Sequence, residues 1–366
     1  MCALTNARKA AMTRLNTPLL TILIAVLTPF SAVQAAPSGA DLFATHCVAC
    51  HGASGEPDPD NPALAGFDAL PANFADALFN SREPGADWLL VVEYGGYAMG
   101  LSEQMPAYGD VLSPEEITAV VRHAKSLADT RDYPPGEFNY PLGIRTKKAF
   151  PEDEIVLKTR ITGQDGDDSV RNVLELEKRI GKRGQAIVEV AHQSESGHDV
   201  IEEAELGFKY VLDWDLEQQY IISTGLVAAF PVKDRSESDV LIPMIMGARA
   251  LSDDVLAQAS ARLKLPFDKT ADGEAEIAGV VHWMLPTFPR GIFPGLEVVA
   301  SVPFDNNGTD RVKWSVLPQA RIGLTRGGHV ALNLGAEIPL SDQSWDVRGY
   351  IYLLWDFADG SFFKGW

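Results

Sequence analysis

The densest chemistry in this 366-residue sequence lies in Cys47-Val48-Ala49-Cys50-His51. Two thiols three positions apart, followed at once by an imidazole, can serve several ends. A disulfide across two intervening residues closes too small a loop to constrain the chain. A thioredoxin-like redox pair needs a strand-to-helix context that does not precede Cys47. A zinc site needs further ligands at matching spacing, and the only other cysteine is Cys2. The spacing answers best to covalent haem attachment. The thiols meet the two vinyl groups on one edge of the porphyrin, and the adjacent imidazole turns a ring nitrogen towards the iron.

Such an iron takes a second ligand on its opposite face, and a thioether there raises the potential relative to a second histidine. Met105, in Met105-Pro106-Ala107-Tyr108, is the favoured candidate because the proline stiffens its loop. Met99, in Tyr97-Ala98-Met99-Gly100, competes with it. A gap-filling role in the core is the plain alternative for either. His46, His123 and His192 read as ordinary polar residues. Iron held by histidine and methionine leaves no open position for a substrate, which favours electron transfer over oxygen chemistry.

The elements that must position these groups are helical. Asp41 to His46 leads into the motif, and Asp87 to Tyr94 reads as a second short helix. Ser113 and Glu116 form a capping box around Pro114, and Ile117, Val120, Val121, Ala124 and Leu127 then share one face. On these residues, together with Pro62-Ala63-Leu64-Ala65-Gly66, residues 40–128 resemble a class I c-type cytochrome. The resemblance implies a small all-α fold with one covalently bound haem c, held by Cys47, Cys50, His51 and Met105. It also implies that the Pro62 carbonyl accepts a hydrogen bond from the proximal histidine, which would fix the ring and tune the iron.

Residues 1–35 read as a secretory signal. Arg8, Lys9 and Arg14 precede a short apolar run, Leu19 to Leu27, and small residues end at Ala35. The expected organisation is a signal (1–35), a cytochrome domain (36–132), a Pro/Gly linker (133–150) and a β region (151–366). The net charge of -19 argues against nucleic-acid binding. Residues 37–140 alone carry 16 acids and 4 bases. No nucleophile motif, phosphate loop or nucleotide fingerprint is present, so a carrier is expected rather than an enzyme.

After residue 150 the period changes from helical to alternating. Leu296, Val298, Ala300 and Val302 alternate with Glu297, Val299 and Ser301; Leu332 to Ile338 and Ala204 to Tyr210 behave alike. Four strands end on apolar–proline–apolar steps at Pro231, Pro266, Pro303 and Pro339, spaced by 35, 37 and 36 residues. Proline suits such ends because it cannot donate to a ladder. Acidic polar loops follow these steps (Lys233 to Asp239, Asp268 to Gly273, Asp305 to Asp310), and mostly tight turns occupy the other end.

About twelve antiparallel strands are expected between Glu154 and Phe357, each near the length of an outer-membrane crossing. Six of seven tryptophans lie after residue 200, and Trp366 resembles the terminal aromatic of Gram-negative outer-membrane proteins. Glu203 to Phe230 loosely resembles small outer-membrane transporter-like barrels. A soluble β-sandwich is the alternative, because Glu175, Glu177, Arg179, Glu205 and Lys209 suit either a polar lumen or a solvated face.

The expectation is therefore a periplasmic haem electron carrier tethered to an outer-membrane barrel. Its partners would be periplasmic redox proteins with basic docking surfaces, with no nucleic acid. The alternatives are a channel whose haem domain senses or plugs, and a soluble cytochrome subunit with a β docking domain.

Overall fold

The computed structural model describes residues 37–163, 168–195, 198–232, 238–268, 271–285, 287, 290–304 and 311–366. The expected signal, all of Asp305 to Asp310 and parts of the other polar loops lie outside them.

Five α-helices build the first domain: α1 (Gly39–His46), α2 (Val48–His51), α3 (Ala77–Arg82), α4 (Gly85–Tyr94) and α5 (Pro114–Lys125). The capping box expected at Ser113 and Glu116 is formed, and a second one joins Ser38 and Asp41. One apolar core holds the domain together. Leu42 and Phe43 of α1 meet Trp88 of α4 and Ile117, Val120, Val121 and Ala124 of α5.

Twelve strands follow among the described residues: β1 (Glu154–Gly163), β2 (Ser169–Ile180), β3 (Gly184–Glu195), β4 (His198–Asp215), β5 (Tyr220–Pro231), β6 (Val240–Ser252), β7 (Val255–Pro266), β8 (Gly273–Trp283), β9 (Ile292–Phe304), β10 (Lys313–Gly323), β11 (Val330–Pro339) and β12 (Val347–Asp356). Each pairs antiparallel with its sequence neighbours, and β1 also pairs with β12, so the sheet closes into a barrel. Closure removes every strand edge. Pro318 and Pro243 fall inside β10 and β6. Each pairs across one side only, Pro318 with Leu296 and Pro243 with Leu226, while the ladder on its other side skips that step. A missing N–H is tolerated where one ladder is already interrupted.

The direction of the alternation decides between barrel and sandwich. In a sandwich the apolar residues would face inward. Here Leu296 is 45% exposed and its neighbour Glu297 is 0%; Ile338 is 46% exposed and Glu337 is 1%. Leu206, Phe208 and Tyr210 face outward too, whereas Glu175, Glu177, Arg179 and Lys209 are buried in the lumen. Apolar outside and charged inside is the pattern of a barrel that meets lipid. The aromatic girdle is partial: Trp283 and Trp314 are exposed, but Trp345 is buried, with Arg348 stacked on its ring at 4.2 Å.

The segment expected to be a spacer is part of the barrel's core. From Phe138 to Asp153 the chain enters the lumen at the short-turn end, reaches its tip near Arg145 and returns to start β1. Inward-facing side chains satisfy its backbone. Gln258, Asn333 and Tyr352 donate to the carbonyls of Pro141, Leu142 and Ile144, and Lys209 donates to those of Lys148 and Phe150. Glu297 accepts from the backbone N–H groups of Ile144, Arg145 and Thr146. Buried backbone groups need such partners.

Charge is matched as well. Arg145 pairs with Glu276 and Glu337, and Lys147 with Glu175 and Glu189. Gly335 leaves room for the plug, since a Cβ there would collide with the Ile144 side chain. Phe138, Tyr140 and Phe150 fill the entrance against Val211, Ile221 and Met246.

Candidate haem site and its docking face

α2 carries the motif as a single turn. Cys47 is its N-cap and Cys50 lies within it, so both thiols sit on one stretch of helix, half-buried and free. Burial, with Cys50 nearby, pushes the Cys47 thiol up to about 11. It is a neutral thiol at neutral pH, unlike the activated cysteine of a redox pair. His51 is buried at 8% exposure and its ring stacks on Phe74, with centroids 4.3 Å apart. Its Nδ1–H donates to the Ala72 carbonyl at 3.0 Å. That bond leaves Nε2 as the ring's lone-pair nitrogen. Burial holds the ring below its ordinary pKa although the carbonyl acts the other way, so it stays neutral.

The carbonyl partner corrects the role expected of Pro62. Pro62 begins a 3-10 turn, Pro62–Leu64, and its own carbonyl accepts from Ala65 N–H. The acidic stretch Glu56 to Asp60 precedes that turn, and the chain reaches the imidazole ten residues later, at Ala72. A second apolar–proline step, Leu70-Pro71-Ala72 before Phe74, was the signal in the sequence for this.

Met105 is half-buried in a loop tied back to α4: Gly96 N–H donates to its carbonyl at 3.0 Å, and Tyr108 N–H to that of Val92 at 2.9 Å. Tyr108 Oη–H donates to the His46 carbonyl at 2.9 Å, and its ring meets that of His46 edge-on at 5.5 Å. The phenol lies close enough to Cys47 and Cys50 that they add to burial in raising its pKa. The Met105 loop is thereby brought to the side of the domain where the two thiols lie.

Met99 has a different setting. It is buried in the 3-10 turn Tyr97–Met99, and its methyl carbon is 3.8 Å from where a Cβ on Gly327 would lie, in the β10–β11 turn of the barrel.

That turn belongs to a continuous docking face. Arg326 stacks on the Tyr97 ring at 4.6 Å and donates to the Tyr97 carbonyl. Arg82 pairs with Asp359 at 2.8 Å and donates to the Ala358 carbonyl, and Lys364 reaches Asp68 at 3.1 Å. Gly100 has φ +74 and sits so close that a Cβ would lie 3.1 Å from both the Arg326 carbonyl and the Gly365 Cα. The helical domain is thus packed across the short-turn end of the barrel. Sequence reading missed this face, because ion pairs across hundreds of residues leave no local pattern.

The site fits a covalently bound haem: paired free thiols, a neutral buried imidazole with one nitrogen tied and one free, and an apolar wall including Phe74, Phe79 and Val92. Comparison with protein families agrees. Residues 36–128 match the family model described as Cytochrome c. That family implies covalently bound haem c with its iron and a role in electron transfer. A comparison with curated proteins returns no match. Among solved structures, the barrel is similar to the KdgM porin (12% identity over 55% of this chain and 98% of that one, TM-score 0.37). It is also similar to the NanC porin (10% identity, 54% and 97%, TM-score 0.40). A third similar structure is the β domain of the Bordetella autotransporter BrkA (10% identity, 56% and 98%, TM-score 0.36).

Proposed function

We propose that this protein is a one-haem electron carrier of the periplasm, fixed to the outer membrane by a barrel that its own chain closes. The supporting observation is the placement of the motif-bearing domain across the short-turn end of a closed barrel with an apolar exterior. Short turns face the periplasm in barrels of this kind.

In this reading Cys47 and Cys50 would hold the porphyrin edge, His51 Nε2 and Met105 Sδ would hold the iron, and the Ala72 carbonyl orients the imidazole. The bound group supplies a one-electron couple. The polypeptide supplies ligand geometry, a dry wall around the ring and an acidic exterior. The net charge of -12 over residues 37–140 favours encounter with basic partner surfaces, by steering that salt weakens.

The lumen bears on the alternatives. Plug hydrogen bonds and ion pairs occupy it, which speaks against a constitutively open channel. A single haem outside the barrel cannot carry electrons across a hydrocarbon layer about 30 Å thick. Vesicles bearing the haem-loaded protein alone should therefore exchange electrons with a soluble partner on the cytochrome side. They should not reduce an impermeant acceptor on the other side, and reduction there would overturn this reading.

A further inference from the structure

Beyond the tip of the plug, towards the long-loop end, lies a cavity of about 390 Å³. Lys158, Arg160, Arg171, Arg262 and Lys264 line it, with Arg145 at its floor. Most of these cations have an acid. Arg171 pairs with Glu202 at 2.6 Å and Glu203 at 3.1 Å, Arg262 with Glu276 at 2.6 Å, and Lys264 with Glu274 at 2.8 Å.

Arg160 is different. The β ladders set it directly opposite Arg171 on β2 and opposite Tyr350 on β12, with Arg348 two positions along β12 on the same inward face. Like charges in such positions destabilise a sheet. Among the described residues Arg160 forms no ion pair with an acid, and its Nε is buried without a hydrogen-bond partner. The Arg348 Nε is also buried and unpartnered, but its guanidinium is stacked on Trp345 and lies 3.9 Å from Glu337, away from the cavity lining. Glu337 is already taken up by Arg145, Ser315 and Tyr350. Arg160 and Arg171 thus face one another on the open volume: Arg171 has Glu202 and Glu203, whereas Arg160 has no acid among the described residues, although Glu189, Glu202, Glu203 and Glu205 also line the cavity. Buried donors and charges in that state cost stability until something with several acceptor oxygens reaches them.

We propose that this cavity is a binding site for a phosphate group, with Arg160 as its principal contact and Arg171 beside it. Planar guanidinium forks match a tetrahedral oxyanion and can each give two hydrogen bonds to it. A free phosphate compound and the phosphorylated headgroup of an outer-leaflet glycolipid share this chemistry.

The test uses the full-length haem-loaded protein in a phosphate-free detergent, titrated calorimetrically with orthophosphate at constant ionic strength. Saturable binding at one site is expected, weaker by about tenfold or more in Arg160→Gln, the loss of one charged hydrogen-bonding partner. Without phosphate, Arg160→Gln should unfold at a higher temperature than the natural protein, because it relieves the repulsion. Phosphate should then raise the midpoint of the natural protein more than that of the variant at the same concentration.

Arg160→Lys keeps the charge and loses the fork. It should bind more weakly than the natural protein and covers the case in which the glutamine variant does not assemble. Repeating the titration in vesicles with and without a phosphorylated glycolipid separates the sources. Loss of the phosphate signal only with that lipid identifies the headgroup, and an unchanged signal identifies a free phosphate. No saturable binding by the natural protein, or equal affinity in both arginine variants and the natural protein, would overturn the proposal.

Discussion

If Met105 holds the iron as proposed, Met105 and Met99 should separate cleanly under substitution. Met105→Ala should abolish the weak sulfur-to-iron absorption and lower the midpoint potential, since a thioether favours the reduced iron. Met99→Ala should leave both unchanged and instead destabilise the protein by about 2–5 kcal/mol, the usual cost of emptying a buried methionine site. The reverse pattern in visible spectra and redox titration would exchange their roles. The carbonyl that faces His51 is that of Ala72, not that of Pro62. The proposed haem-binding residues were legible because their chemistry demands consecutive spacing, as in Cys47 to His51. The carbonyl partner was not, since any backbone carbonyl serves and only the path of the loop selects one.

At the scale of elements, the plug makes two separable predictions. Arg145→Ala removes one partner from the buried carboxylates of Glu276, which keeps Arg262, and Glu337, which keeps Ser315 and Tyr350, and losing one partner of a buried pair costs up to about 3–5 kcal/mol. The thermal midpoint should fall accordingly, while Arg326→Ala, at the exposed docking rim, should cost far less. Excising residues 141–149 should turn a protein that conducts little in planar bilayers into one with steady open-channel current. Equal conductance before and after excision would mean that the plug does not close the lumen. The strands were readable from their period of two, down to the starting residue Glu154. Their inward charges were readable as charges but not as a destination. Arg145, Lys147 and Lys148 sit in a Pro- and Gly-bearing stretch that looks like any tether, and only closure of the barrel brings Glu175, Glu189, Glu276 and Glu337 around them.

The whole molecule depends on the contact between the two domains, and that contact should respond to pH. Burial, with Asp356 and Asp87 adding to it, pushes the Glu83 carboxyl up to about 7 despite the opposing Arg82 and a hydrogen bond from Asp359. The folded value lies above the ordinary carboxylate range, so the stability from this group is complete below about 4.5 and is lost as pH rises through about 7. Docking should therefore loosen between pH 5 and 8, seen as faster amide exchange in α3 and the C-terminal tail. Glu83→Gln should reduce that response, which it shares with Asp359, whose carboxyl burial also raises, and with the neighbouring Asp356, and an unchanged slope would assign it wholly to them.

The central claim, a haem carrier anchored by a closed barrel, is tested most directly by fractionating cells and staining the intact polypeptide for covalent haem with and without boiling. The account predicts haem-stained protein in the outer-membrane fraction, migrating differently once boiled because the closed barrel resists detergent until heated. Recovery of the intact, haem-stained protein in the soluble periplasm, with no shift on boiling, would contradict it.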